Sequence, residues 1–272
     1  MSDIAPVTGP VAGVPGAGRG AGLGIATALA AHGWRVYGTG RGIAEDPAWG
    51  TGIRVDHRDD DAVGRVFDRV GAEAGRLDLL VNNAAAISDN LVSAAPFWEK
   101  PRDLADVLTV GLRSSYIASW YAAPLLAAQD RALIAFTSSP GSVCYMHSPA
   151  YGAQKAGVDK MAADMAVDFR GTGVATVSVW MGILLTAKLR GAFDGDPDAL
   201  AAFAAHAETP EFTGHVIDAL FRDPGLADLS GHTVIGAELA ARYGITDEGG
   251  RTPPSHRDML GEPRTPSAVV VR

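Results

Sequence analysis

Short apolar runs alternate with longer amphipathic stretches along most of the chain. Residues 11–14, 35–38, 52–55, 77–81, 132–137 and 174–180 have the length and composition of strands. Between them, residues 21–32, 59–74, 104–128 and 149–170 carry helical patterns. The clearest is 59–74, where Val63, Val66, Phe67 and Val70 recur at helical spacing. Gly33 follows the first helical pattern as a stop signal. The run at 77–81 is almost wholly apolar, as in strands covered on both faces. This alternation predicts an α/β fold: a Rossmann-like, doubly wound parallel sheet in a three-layer αβα arrangement.

The pattern changes toward the C-terminus. Residues 184–210 are Ala-rich and polar, with an acidic turn at Asp194-Gly195-Asp196-Pro197. Short helices forming a substrate flap over the carboxyl edge of the sheet are expected there, the flap spanning about 184–222. A helix over 212–221 and a last strand over 232–235 complete a single domain, 1–248. Residues 249–272, rich in Pro, Gly and Arg, read as an irregular tail.

Composition narrows the function classes. A chain of 272 residues, 47% hydrophobic and 20% charged, suits one large globular domain. The net charge of -8 argues against a nucleic-acid partner, for which a basic stripe is expected. No run of about 18 apolar residues predicts a membrane span. Residues 1–10 lack the basic head and apolar core of a secretory signal. Cys144 is the only cysteine, which excludes an internal disulfide and suits a cytoplasmic location. His57, His147 and His206 stand at no metal-ligand spacing, so no metal site is expected.

Two motifs carry chemistry. In Tyr151-Gly152-Ala153-Gln154-Lys155, the phenol and the amine are four residues apart. On a helix they share one face. A fixed ammonium beside a phenol is expected to depress its pKa from about 10 toward a range useful for acid–base work. Ser138-Ser139 lies about a dozen residues upstream. Near the N-terminus, Gly16, Gly18, Gly20, Gly22 and Gly24 occupy every second position between a strand and a helix. Such a turn lets backbone approach a pyrophosphate and offers it the amides of a helix N-terminus. The even spacing leaves the register of this loop open.

Taken together, these segments resemble the classical short-chain dehydrogenase/reductase family, over roughly residues 10–245. Val14-Pro15-Gly16-Ala17-Gly18-Arg19-Gly20-Ala21-Gly22 is similar to the family's Thr-Gly-x-x-x-Gly-x-Gly turn, which places Gly16, Gly20 and Gly22 at the family glycines. Leu77 through Ala84 resembles its fourth strand with the Asn-Asn-Ala ending. Ser139, Tyr151 and Lys155 match the catalytic serine and the Tyr-x-x-x-Lys pair, with Ser138 as the fallback serine. Met181 through Thr186 resembles the Pro-Gly-x-x-x-Thr segment. Further segments, among them Phe97-Trp98-Glu99 and Ser138-Ser139-Pro140-Gly141-Ser142, narrow the resemblance to a branch that implies carbonyl reduction with NADPH.

The resemblance implies a role for each residue. Gly16, Arg19, Gly20, Ala21, Gly22, Arg41, Asp56, Asn83, Tyr151, Lys155 and Thr186 would bind the cofactor. Ser139 would hold the substrate oxygen, Tyr151 would exchange the proton, and Lys155 would lower the tyrosine pKa. Gly40, followed by Arg41, ends the second strand, where a carboxylate would select NADH. Arg41 and Arg19 instead favour NADP(H), with NAD(H) the disfavoured alternative. The substrate would be a small carbonyl or alcohol. Phe97, Trp98, Tyr145, Met146, Trp180 and Met181 suggest an apolar cleft. A homodimer or homotetramer is expected, pairing helices 104–128 and 149–170 through Ala118, Ala122 and Ala123.

The departures are Pro15, Ala85, Gly111 and Met181, which stand where the family has Thr, Gly, Asn and Pro. They support an alternative of a catalytically weak dinucleotide-binding sensor or scaffold. A third reading is epimerisation or dehydration on the same fold. Gly111 is expected to slow turnover, because it lacks the side chain of the family's asparagine.

Overall fold

A sheet of seven parallel strands forms the middle layer of the computed structural model, which describes residues 9–272. The expectation about a secretory signal falls mostly on residues 1–8, outside the described residues. Chain order begins β1 (Val11–Pro15), α1 (Gly20–Ala31), β2 (Arg35–Gly40), β3 (Gly50–Arg54), α2 (Asp60–Ala74), β4 (Leu79–Asn82), α3 (Asp106–Leu108) and α4 (Ser114–Ala127). It continues β5 (Ala132–Ser138), α5 (Pro149–Asp168), β6 (Val174–Trp180), β7 (Ile183–Leu184), α6 (Ala187–Gly191) and α7 (Pro197–Ala204). The last elements are β8 (Ala207–Glu208), α8 (Pro210–Arg222), β9 (Thr233–Ile235), α9 (Gly236–Tyr243) and α10 (Arg257–Leu260).

The strand order is β3-β2-β1-β4-β5-β6-β9. It reverses between β1 and β4, and a crevice opens beyond the carboxyl ends of strands at such a point. Burial explains the sequence pattern: β1, β4, β5 and β6 are buried at every position. One apolar cluster lies under α1, α8 and α9, with Ile25, Leu29, Phe212 and Leu239 among its members. The other lies under α2, α4 and α5, with Phe67, Leu126 and Val158.

Local chemistry sets the element ends. Asp59 caps α2 by accepting the Ala62 amide, and Gly75, at φ 69°, terminates it. Ser148 caps α5, with Pro149 in the first turn. Asp78, buried, accepts the Val11 amide at 2.8 Å and two hydrogen bonds from Arg76, tying β1 to the start of β4.

The expected helix over 104–128 is not one regular helix. It enters through a 3-10 turn (Arg102–Ala105) and α3, passes through a π turn (Thr109–Arg113), and only then becomes α4. Serine hydroxyls bond back four residues here: Ser114 to the Val110 carbonyl, Ser115 to Gly111 at 2.9 Å and Ser119 to Ser115 at 2.8 Å. Such bonds compete with the regular ladder, and π turns accommodate the extra residue.

Ala118 and Ala122 do not form an open pairing face. Both are buried inside this chain's own core. The outer surface of α4 carries Tyr116 and Trp120 instead.

The helices α1 and α8 meet backbone to backbone. A Cβ at Gly24 would stand 2.3 Å from the Pro210 carbonyl carbon, and one at Gly214 would stand 2.9 Å from Ile25 Cα. β7 and β8 pair in parallel, Ile183 with Ala207 and Leu184 with Glu208, and so join the two roots of the segment carrying α6 and α7. The tail beyond residue 250 is mostly irregular but tied down. Ser255 donates to Glu238 at 2.7 Å, and Arg257 donates to both oxygens of Glu238 at 2.9 and 2.7 Å.

Candidate active site

Three of the singled-out side chains converge at the carboxyl edge of β5. Ser139 follows that strand directly, and Tyr151 lies in the first turn of α5. The Ser139 Oγ and Tyr151 Oη atoms are 2.9 Å apart. Ser139 Oγ also accepts the Gly141 amide at 3.2 Å, which fixes its rotamer. Gly141 is required by proximity, since a Cβ there would sit 2.6 Å from Tyr151 Cε1. Ser138 faces elsewhere, buried toward the Lys155 carbonyl at 3.5 Å.

One turn after Tyr151, Lys155 is buried. Its ammonium donates to the Thr137 carbonyl at 3.1 Å and lies 5.4 Å from the centre of the Tyr151 ring. The ammonium is thus held by a main-chain carbonyl while facing the ring. Burial holds the Lys155 amine down at about 8, with Asp159 opposing. The expected depression of the tyrosine pKa is not found. Burial pushes the Tyr151 phenol up, the Ser139 hydrogen bond opposes, and nearby Cys144 adds to the rise. Desolvation is the largest influence on the phenol.

The glycine loop lies beside this group. Gly16 has φ 81°, a region in which a side chain is strained, and a Cβ there would stand 2.9 Å from Ala84 Cα. Gly22 is packed still more closely, 2.1 Å from the Gly16 carbonyl oxygen by the same measure. Asn83 spans this contact. Its amide nitrogen donates to the Pro15 and Gly16 carbonyls, both at 3.3 Å, and the Thr137 hydroxyl donates to its oxygen at 3.5 Å. Asn83 thus braces the loop against β5.

The N-terminus of α1, which includes Ala21, has no side-chain cap and no acidic residue in its first turn. Its free amides fit an anionic group such as a pyrophosphate. Arg19, at the N-cap, and Arg41, just past β2, are both exposed. Asp56 is exposed with Arg41 beside it; the Arg58 amide, the largest influence, and both arginines hold its carboxyl low. Thr186 caps α6 and approaches the loop, 3.8 Å from the Cβ position of Gly20. A dinucleotide fits this donor set along the crevice.

Around the centre stand residues that sequence reasoning did not single out. Gln154, buried, donates to the Gly111 carbonyl at 3.2 Å. A Cβ at Gly111 would stand 2.9 Å from Gln154 Cγ, so the glycine accommodates the glutamine. Lys100 is buried, and its ammonium donates to the carbonyls of Leu91 at 3.1 Å and His147 at 2.7 Å. Glu208 is buried near Gly182, and burial pushes its carboxyl up to about 7. His57, buried, contacts Thr39 through Nε2 at 2.8 Å, and burial holds it at about 4. Lone Lys, Gln or Glu residues such as Lys100, Gln154 and Glu208 carry no sequence signal that distinguishes them from surface residues.

Of the aromatic side chains expected to border the cleft, Phe97, Trp98 and Tyr145 are exposed. Trp180 is fully buried, its indole donating to Asp159 at 3.0 Å. With Pro140, Met181, Gly182 and the tail residues Pro254 and His256, it lines a small cavity behind the Ser139 turn. Among the described residues there is no cluster of His, Cys, Asp and Glu able to hold a metal, and no helix is long and apolar enough to cross a membrane.

Comparison with known proteins agrees with this geometry. Residues 10–196 match the family model described as short chain dehydrogenase. The human protein "Dehydrogenase/reductase SDR family member 1" is 39% identical over 269 residues, covering 91% of this chain and 86% of its own. The mouse protein of the same name is 36% identical over the same shares. The solved aldohexose dehydrogenase of Thermoplasma acidophilum superposes with a TM-score of 0.70 at 21% identity, over 84% of this chain and 92% of that one. That last likeness speaks to the fold.

Proposed function

The chain belongs to the short-chain dehydrogenase family, and we propose that it is an NADPH-dependent oxidoreductase acting on the carbonyl or secondary alcohol of an apolar small molecule. The observation that carries this reading is the 2.9 Å contact between Ser139 Oγ and Tyr151 Oη, with a buried amine one helical turn away.

A bound nicotinamide dinucleotide supplies the hydride. The chain's own groups handle orientation and the proton. Ser139 donates a hydrogen bond to the substrate oxygen, which stabilises charge that develops there. Tyr151 gives its proton to the same oxygen, burial raising its pKa above the ordinary value. Lys155 and Asn83 would hold the nucleotide, together with Gly16, Gly20, Ala21, Gly22, Asp56 and Thr186.

NADPH over NADH rests on Arg41 and Arg19, both exposed and free to meet a 2′-phosphate, with Gly40 in place of a carboxylate. In Arg41→Asp, the ratio of KM for NADPH to KM for NADH should rise at least tenfold on an order-of-magnitude expectation for one lost bidentate contact. A variant that kept its NADPH preference would defeat the assignment. A homo-oligomer in a cytoplasmic setting is part of the proposal. Its surface would involve the outer side of α4, where Tyr116 and Trp120 are exposed.

The deciding experiment follows NADPH consumption against ketones, aldehydes, steroids and quinones, with Tyr151→Phe as the blank. Wild-type turnover in the phenylalanine variant would refute the proton role. One observation favours a weaker catalyst or a cofactor-binding sensor: the Gly111 carbonyl is already engaged by Gln154 and Ser115. Binding of NADPH without turnover of any carbonyl would select that reading.

A further inference from the structure

A second buried amine stands near the candidate site, and the mechanism above does not use it. Lys100 is only 7% exposed, yet among the described residues its ammonium has no carboxylate partner. A buried cation is costly unless satisfied by well-placed acceptors. The two acceptors here are main-chain carbonyls from different segments, Leu91 and His147.

Both segments bear on Tyr151. Leu91 belongs to a small cluster with Leu104 and Val107, against which Ala150 and Tyr151 pack. His147 has φ 63°, the only non-glycine residue at positive φ among the described residues. Such a conformation is strained and persists where its surroundings enforce it. The 2.7 Å bond from Lys100 falls on the carbonyl of this strained residue. The His147 ring in turn meets the Tyr151 ring edge to face, with centroids 4.9 Å apart. Ser148, the next residue, caps α5 by accepting the Tyr151 amide at 3.3 Å.

We propose that Lys100 is a positioning residue for Tyr151: its ammonium clamps the Leu91 and His147 carbonyls, holds His147 in its left-handed conformation, and thereby sets the tyrosine ring against the Ser139 hydroxyl. The inference rests on the oxidoreductase reading for its kinetic consequence, while the clamp itself has a separate signature. Burial and the Lys100 charge together hold the His147 imidazole below its ordinary range. Removal of that charge lets it titrate higher.

The test compares Lys100→Met and Lys100→Arg in the full chain. It measures carbonyl turnover, NADPH binding by fluorescence, and the His147 titration by NMR. Lys100→Met should lower kcat about tenfold through a misplaced tyrosine, leave NADPH affinity within about twofold, and shift the His147 titration upward. Lys100→Arg, which keeps the charge and donors, should recover most of kcat and return the titration. Should Lys100→Met fail to fold, His147→Gly tests the same link. It relieves the positive φ and removes the ring from Tyr151, and kcat should fall with NADPH affinity kept. An unchanged kcat in the variant that folds would overturn the proposal, as would an unchanged His147 titration in Lys100→Met. Absence of any turnover in the wild type would fell the oxidoreductase reading, and the clamp would then be judged on the titration alone.

Discussion

Glu208→Gln should change how the stability of this protein depends on pH. Glu208 is 2% exposed, and its carboxyl is pushed up to about 7 from an ordinary 4.5, chiefly by burial. Between those values the folded chain keeps a proton that the unfolded chain releases. Stability therefore falls as pH rises through the window, by about 1.4 kcal/mol per unit and roughly 3 kcal/mol in all. His57 acts in the opposite sense. Its imidazole is held at about 4 instead of 6.5, so the unfolded chain binds the proton first. Its contribution rises with pH from about 4 to about 6.5, again by roughly 3 kcal/mol. In the wild type the two slopes nearly cancel over their shared range. Replacement of the carboxyl by an amide removes the falling limb and exposes the rising one.

The assay is urea unfolding of both proteins at intervals from about pH 4.5 to 8. Any constant offset from the amide leaves the slope unchanged, and the difference between variant and wild type should grow by roughly 3 kcal/mol across the range. A difference that stays level would refute the buried, protonated state assigned to Glu208.

Gly111→Ala should destabilise the fold although alanine is the better helix former by about 1 kcal/mol. The added methyl overlaps Gln154, at 2.9 Å from its Cγ, in a buried place where overpacking costs about 1–3 kcal/mol. The double variant Gly111→Ala, Gln154→Ala should recover most of the loss in thermal unfolding, and a stabilised single variant would contradict the packing argument. Asn83→Ala should loosen the glycine loop by removing two hydrogen bonds, each about 1 kcal/mol. NADPH titration should show weaker binding by roughly tenfold, and undiminished affinity would show that the loop stands without its brace.

The sheet was legible in the sequence because its strands are buried on both faces and read as apolar runs, as at Leu133, Ile134 and Ala135. The Tyr151 and Lys155 pair was legible because helical spacing fixes which side chains share a face, and Ser139 joined it through the family resemblance. What escaped depends on contacts remote in sequence. The π turn arises from serine hydroxyls bonding backward together with Gln154, 43 residues beyond Gly111. The raised Tyr151 pKa comes chiefly from burial, which helical periodicity does not report. Lys100 and Glu208 look like surface residues in sequence, and only the fold buries them.

The seam between α1 and α8 has a mechanical consequence. With Gly24 against Pro210 and Gly214 against Ile25, the two helices interlock at points that leave no room for a further methyl. They pack as one block, and the first turn of α1, which follows the glycine loop, belongs to it. The arm bearing α6 and α7 lies outside that block, its two roots joined by the pairing of β7 with β8. Extra length in the turn at 192–196 should therefore be absorbed locally, whereas a single methyl at Gly214 would press on Ile25 and Ala28 in the body of α1.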